Sequence, residues 1–435
     1  MPAHRVSGLY TMSQDRKPFP GGRVEPQLNR SRNFLAVGAA FNPKSRIPNS
    51  EIGYNPGMSP TPQVAQINTP PGFIDLGRGD PQFKLLPLDL IRKAADKGFG
   101  RADNTFLQYG LEQGDGYFRL ALADFLTSAY GFPVNAEGLF ITSGISSALD
   151  LFCSLFTQPG DTVFVEEPTY FLALRIFADH GLRVESIPTD ESGLVIDALD
   201  VAVREHQPRF VYTVPVFQNP SGHTLTEDRR RRLIALSSER GFLLLADEVY
   251  QLLNYTVQPP RSFGAYIHAE NVVSLGSFSK ILAPGLRLGW VQAHASVIQR
   301  LVKSGLLDSG GGMNPFTSAV IRGVIESGDL KRNIAHLVKT YAARVTALDQ
   351  ALRRQLPEAE FRTPQGGYFF WLHLPGRDLA KLRPPAQAHE VDFRPGVLFS
   401  SRGGLRAYLR LSISFYDVDE LEEGVERLAL SLHAQ

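Results

Sequence analysis

Two short apolar runs that break off abruptly at polar residues constrain this chain more than any other feature. They are residues 210–222, FVYTVPVFQNPSG, and 242–250, FLLLADEVY. Neither alternates apolar with polar, as a strand with one wet face does. Both therefore read as β-strands buried on two sides, the habit of a parallel sheet flanked by helices. In such sheets ligands gather beyond the strand C-termini, where Asn219 and Asp247 fall. A third segment, 274–290 or SLGSFSKILAPGLRLGW, puts Lys280 in the same situation, inside a Ser/Gly-rich turn.

The chemistry of these residues is specific. A buried lysine loses hydration in its charged form, so its free amine becomes available to attack an aldehyde. Ser277, Ser279 and Arg287 are donors suited to a phosphate dianion. Lys280 thus reads as a Schiff-base lysine for pyridoxal 5'-phosphate. Asp247 is placed to pair with a protonated pyridine nitrogen, and Asn219 and Tyr250 to donate to a phenolate oxygen. Taken singly each has a plainer alternative: a turn at Asn219-Pro220, a helix cap at Asp247, a core aromatic at Tyr250.

Together, QNPSG, ADEVY and GSFSKILAPGLRLGW resemble the fold-type I pyridoxal-phosphate enzymes. Within them the class I/II aminotransferases are nearest, and of these the 2-aminoadipate/kynurenine aminotransferase branch. That branch includes the catalytic domains of aminotransferase-like bacterial regulators. The resemblance runs from about residue 74 to about residue 430. It implies an α/β protein of aspartate-aminotransferase-like fold, with a doubly wound, mostly parallel sheet in a large domain and a smaller α+β domain. It also implies the cofactor-site roles just given for Lys280, Asp247, Asn219, Tyr250, Ser277, Ser279 and Arg287.

Further segments extend the match. In ITSGISSALDL, residues 141–151, a glycine turn opens an amphipathic helix, so the backbone amides of Gly144, Ile145 and Ser146 form an anion site. The family usually has Gly-Ser-Gln there, so any side-chain contacts at Ile145 and Ser146 differ. By resemblance, Tyr170 in VEEPTY stacks on the cofactor ring, and Tyr109 in LQYG reaches the phosphate of a neighbouring subunit, which makes the site that of a homodimer. By the same resemblance Arg410 in YLRLSIS, residues 408–414, is expected to clamp the substrate α-carboxylate, and Asn219 is expected to contact the substrate as well. IDLGRGDP resembles the family's Gly-x-Pro entry segment, so Gly79 is expected to leave room for the substrate. Gly366 and Gly367 in TPQGGYFFW read as a structural hairpin without chemistry.

The expected organisation is an N-terminal arm (1–72), a leading small-domain segment (73–110), a large cofactor-binding domain (111–310) and a small C-terminal domain (311–435). Helices are expected at 85–98, 115–130, 145–157 and 418–433, a strand at 138–142, a long helical stretch over 315–355, and a half-exposed strand over 408–414. Residues 1–72 hold eight Lys/Arg against three Asp/Glu, are rich in Pro, Gly, Ser and Asn, and lack periodicity, so they read as poorly structured. A role for the arm over the substrate, and a targeting role, are both open. The expected location is cytoplasmic.

Composition excludes several classes. With 45 Lys/Arg against 44 Asp/Glu there is no basic footprint for nucleic acid. No apolar run approaches the roughly 20 residues that span a bilayer. The single Cys153 allows no intrachain disulfide and no Cys-rich metal site, and none is expected. The expected activity moves an amino group from an L-amino acid to a 2-oxo acid in two half reactions through the Lys280 Schiff base. Two alternatives stay open: another pyridoxal-phosphate reaction on the same scaffold (elimination, replacement or a cyclising synthase), and a non-catalytic effector sensor.

Overall fold

A computed structural model of the chain describes residues 69–100 and 104–433. The expected arm lies outside the described residues apart from 69–72. A two-residue strand, β1 (Ile74–Asp75), comes first. Eight strands then form one sheet: β2 (Leu139–Thr142), β3 (Thr162–Glu167), β4 (Arg183–Asp190), β5 (Gly193–Leu194), β6 (Phe210–Thr213), β7 (Leu243–Asp247), β8 (Val272–Ser277) and β9 (Gly289–Ala293). Their spatial order is β2-β9-β8-β7-β6-β3-β4-β5. The run β8-β7-β6-β3-β4 is parallel, whereas β9 is antiparallel to both β2 and β8, and β5 is antiparallel to β4.

Side-chain alternation along these strands divides the apolar residues between two cores. Val163, Val165, Phe210, Tyr212, Leu245 and Val273 belong to one. Phe164, Val211, Leu244, Ala246 and Val272 belong to the other. Both faces are covered, which is why residues 210–213 and 243–246 read as uninterrupted apolar runs.

After β3 the chain goes to β4 on one side, then returns to β6 on the other. This reversal opens a crevice beyond the carboxyl ends of β3 and β6. Because β2 is antiparallel to β9, and β9 to β8, the C-terminal ends of β2, β3, β6, β7 and β8 share one edge of the sheet.

The C-terminal third adds β10 (Phe369–His373), β11 (Val391–Asp392), β12 (Arg394–Pro395) and β13 (Tyr408–Ser412). β13 is central in a three-stranded antiparallel sheet, β10-β13-β12, and β11 pairs with β1. The strand expected to be half exposed is not: Leu409, Arg410, Leu411 and Ser412 are all buried. Its polar face is turned onto the crevice rather than onto water. The helical stretch over 315–355 is two helices, Pro315–Glu326 and Asp329–Gln355, separated at Gly328 with φ +74°. The helices at Leu88–Phe99, Gly116–Tyr130, Ile145–Phe156 and Val418–His433 lie within about three residues of their expected bounds.

Candidate active site

The crevice collects the predicted residues from successive strand ends. β7 ends at Asp247, β8 leads through Ser277 and Ser279 to Lys280, β6 leads to Asn219, β3 to Tyr170 and β2 to Gly144. From the other side β13 brings Arg410, and the segment after β1 brings Gly77 and Gly79.

Lys280 donates from Nζ to the Gly79 carbonyl at 2.8 Å. Burial lowers its pKa from 10.5 to about 8, while the charges of Asp80 and Asp247 oppose that fall and Arg410 adds to it. Arg410 donates from Nη1 to Asn219 Oδ1 at 2.8 Å and from Nη2 to the Gly77 carbonyl at 2.6 Å. Its guanidinium lies 4.0 Å from the Phe369 ring centre and 5.0 Å from that of Phe399. Among the described residues its Nε has no partner, and both acceptors that its other nitrogens have are neutral. Burial accordingly pulls its pKa to about 9, with Arg394 adding repulsion. A buried guanidinium without an anion is costly, so this is a place prepared for a carboxylate.

Asp247 is the complementary case. It is 4 % exposed, and burial raises its pKa from 3.8 to about 6 against the hydrogen bonds from Tyr212 and the Val249 backbone. Tyr212 donates its hydroxyl to Oδ2 at 2.9 Å and Val249 N donates to Oδ1 at 3.3 Å. Among the described residues no cation is ion-paired with it. A protonated heterocyclic nitrogen would balance that uncompensated charge.

The donors suited to phosphate also converge. Gly144, with φ +88°, caps the helix Ile145–Phe156, and a Cβ at that position would stand 2.9 Å from Arg287 Nη2. Only glycine combines that backbone angle with so close an approach. Arg287 Nη2 donates to the Ser143 carbonyl at 3.0 Å. Ser277 and Ser279 hydroxyls are 3.0 Å apart, and Ser279 N donates to Ser277 Oγ at 3.1 Å. Ile145 is half-buried and Ser146 exposed at the helix start.

Tyr170 is half-buried beside the crevice. Its phenol is pushed up to about 12 by burial first and then by the Asp247 charge, so it stays neutral. Tyr250 is buried, with its ring 5.4 Å from that of Tyr368 and 6.0 Å from that of Phe369. Tyr109 stands apart: it is 80 % exposed and is not brought to the cradle of its own chain. Cys153 is buried and its thiol is pushed up to about 12, remote from any nucleophilic role. Among the described residues no cluster suited to a metal ion occurs, and no helix is long and apolar enough to cross a membrane.

Sequence reasoning missed four residues of this site. Tyr212 and Asp247 share a face of the sheet on neighbouring strands, and the available signal was a hydroxyl inside an apolar strand, which needs a partner when buried. Phe369 and Phe399, which sandwich Arg410, carry no such signal. Tyr368 lies against Lys280, whose Nζ stands over its ring 5.2 Å from the ring centre. It follows a glycine pair read only as a hairpin.

Comparison with known proteins places the chain in a family. Residues 71–428 match the family model for aminotransferase class I and II. Aromatic-amino-acid aminotransferase 1 of Thermococcus litoralis is 33 % identical over 364 residues, covering 82 % of this chain and 87 % of that protein. The 2-aminoadipate transaminase of Thermus thermophilus is 31 % identical over 377 residues, covering 85 % and 92 %. The crystal structure of a Thermus thermophilus alpha-aminoadipate aminotransferase with N-(5'-phosphopyridoxyl)-L-leucine superposes with a TM-score of 0.76 at 30 % identity, covering 84 % of this chain and 93 % of that one. The chain therefore belongs to the class I and II aminotransferases, pyridoxal-phosphate-dependent enzymes of fold type I.

Proposed function

We propose that this aminotransferase takes its amino group from a bulky apolar or aromatic L-amino acid, and that Lys280, Asp247 and Arg410 carry the reaction. Arg410 is the observation on which the substrate assignment rests. It is a buried cation sandwiched between Phe369 and Phe399, with no acid partner among the described residues. The segment Gly77–Gly79 ties it to the lysine, since the Gly77 carbonyl accepts from Arg410 and the Gly79 carbonyl from Lys280. A carboxylate on Arg410 then presents an α-carbon toward the amine. Ring contacts continue outward from Phe399 to Phe171 at 5.3 Å and Trp371 at 5.5 Å, an apolar aromatic surround for a side chain.

Pyridoxal 5'-phosphate supplies, when bound, an aldehyde that condenses with amines and a ring that draws electrons from the substrate's α-carbon. Asp247 is the residue to hold the ring nitrogen protonated. Asn219 and Tyr250 would serve its phenolic oxygen, Tyr170 would cover its face, and the amides of Gly144, Ile145 and Ser146 with Ser277, Ser279 and Arg287 would receive its phosphate. Lys280 is both the attachment point and the base. With a pKa of about 8, roughly a tenth of its amine is neutral at pH 7 and able to take the α-proton. Asn219 keeps the Arg410 guanidinium in register, fixing which substituent of the α-carbon faces the lysine.

The working unit in this reading is a homodimer. Tyr109 is exposed, and so are its sequence neighbours Leu107, Leu111, Tyr117 and Leu120, apolar side chains that a second copy receiving the Tyr109 hydroxyl would cover. Sedimentation should give the mass of two chains.

A panel of amino donors offered with 2-oxoglutarate, with products identified by mass, tests the assignment. Aromatic and large apolar donors should yield their 2-oxo acids, and Lys280→Ala should yield none. Donor consumption without its 2-oxo acid would point to elimination or replacement, and stable binding without turnover to a sensor.

A further inference from the structure

The hairpin in TPQGGYFFW does more than turn the chain. A Cβ on Gly366 would stand 2.2 Å from the Phe217 ring and 2.5 Å from the Leu253 carbonyl, and Gly367 has φ +69°. Gly367 N donates to Leu253 O at 2.9 Å, and Tyr255 donates its hydroxyl to the Gly367 carbonyl. The turn is thereby pressed against the β7–β8 connection, and the next residue, Tyr368, is carried against Lys280.

Tyr368 is fully buried and touches Lys280 at both ends. Its hydroxyl donates to the Lys280 carbonyl at 3.3 Å and lies 3.3 Å from the Tyr341 hydroxyl, while its ring faces Nζ at 5.2 Å. Tyr341, at 5.0 Å, and Tyr250, at 5.4 Å, wedge the ring in place. The negative face of an aromatic ring attracts an ammonium within about 6 Å. Since the hydroxyl is anchored on the carbonyl, the face is what the amine meets.

We propose that Tyr368 is a positioning residue that sets the proton affinity of Lys280 through its ring face, stabilising the ammonium that exists after the lysine has taken the α-proton. The inference rests on Lys280 being the reaction's base. It answers a physical difficulty: burial drives the amine toward neutrality, yet a base must hold its proton long enough to return it. Asp80 and Asp247 also favour the ammonium, and Arg410 opposes it. None of the three is hydrogen-bonded to Tyr368, so substitution there leaves them in place.

The test uses holoenzyme with the cofactor in its amine form, in which Lys280 is free. Its pKa is read from the pH dependence of trace acetylation, with the modified peptide quantified by mass. Tyr368→Phe should leave that pKa unchanged. Phenylalanines with one, two and three ring fluorines at position 368 keep the shape and drain the face. They should lower the pKa stepwise, by roughly half to one unit across the series. Tyr368→Leu should lower it by a similar amount. A flat fluorine series overturns the proposal, as does a fall already complete in Tyr368→Phe, which would assign the effect to the hydroxyl. Failure of the underlying function looks different: Lys280 in the wild type would then acetylate equally with the cofactor in its aldehyde and amine forms.

Discussion

Replacing Asp247 with asparagine should make the protein without cofactor more stable while making it a poorer enzyme. The carboxyl is buried, unpaired with any cation among the described residues, and raised from 3.8 to about 6. That rise corresponds to about 3 kcal/mol of unfavourable ionisation. The sign follows from proton binding: between about pH 4 and about pH 6 the folded apoprotein holds a proton on Asp247 that the unfolded chain has released, so stability falls as pH rises and the full cost is present above about pH 6. Asparagine carries no charge at any of these pH values. It still accepts from Tyr212 but meets the Val249 N–H less well, which returns about 1 kcal/mol. A net gain of about 2 kcal/mol near pH 7, shrinking to nothing or reversing near pH 4, is therefore expected. Thermal melts of cofactor-free wild type and Asp247→Asn, followed by fluorescence across this pH range, measure it. With cofactor present the order should invert, because the ring nitrogen loses its counter-charge. A wild-type apoprotein more stable than the variant at pH 7 would refute the reasoning.

Tyr212→Phe removes a hydrogen bond to a charged group, worth about 1.5–3 kcal/mol, and should raise the Asp247 pKa by a further one to two units. Cofactor affinity near pH 7 should fall, and the fall should be smaller at higher pH, where Asp247 ionises again; equilibrium dialysis at two pH values checks this. Arg410→Lys keeps the charge but loses the fork, and should raise KM for the amino donor by about 10- to 100-fold with little loss of cofactor binding, as steady-state kinetics and cofactor absorbance together will show.

The fold was legible because β6 and β7 are buried on both faces, so residues 210–213 and 243–247 announce themselves as apolar runs with polar endings. The site residues follow those endings directly, and their roles came from the resemblance carried by QNPSG, ADEVY and the segment around Lys280. Contacts across long sequence separations were not legible. Tyr212 meets Asp247 from 35 residues away, Arg410 meets Asn219 from 191, and Tyr368 meets the Lys280 backbone from 88. Nothing local in FVYT or GGYFFW marks which neighbour each phenol finds. Residues 408–414 misled for a related reason: alternation reports that one face is polar, and here that face is turned onto a binding crevice instead of solvent.

The central claim is that one ε-amine, that of Lys280, carries the cofactor. Borohydride reduction of the holoenzyme followed by peptide mapping tests it most directly. A phosphopyridoxyl mass on the peptide containing Lys280, absent when an amino donor has first converted the cofactor to its amine form, is the predicted result. The same mass on another lysine, or no covalent label at all, would contradict the account.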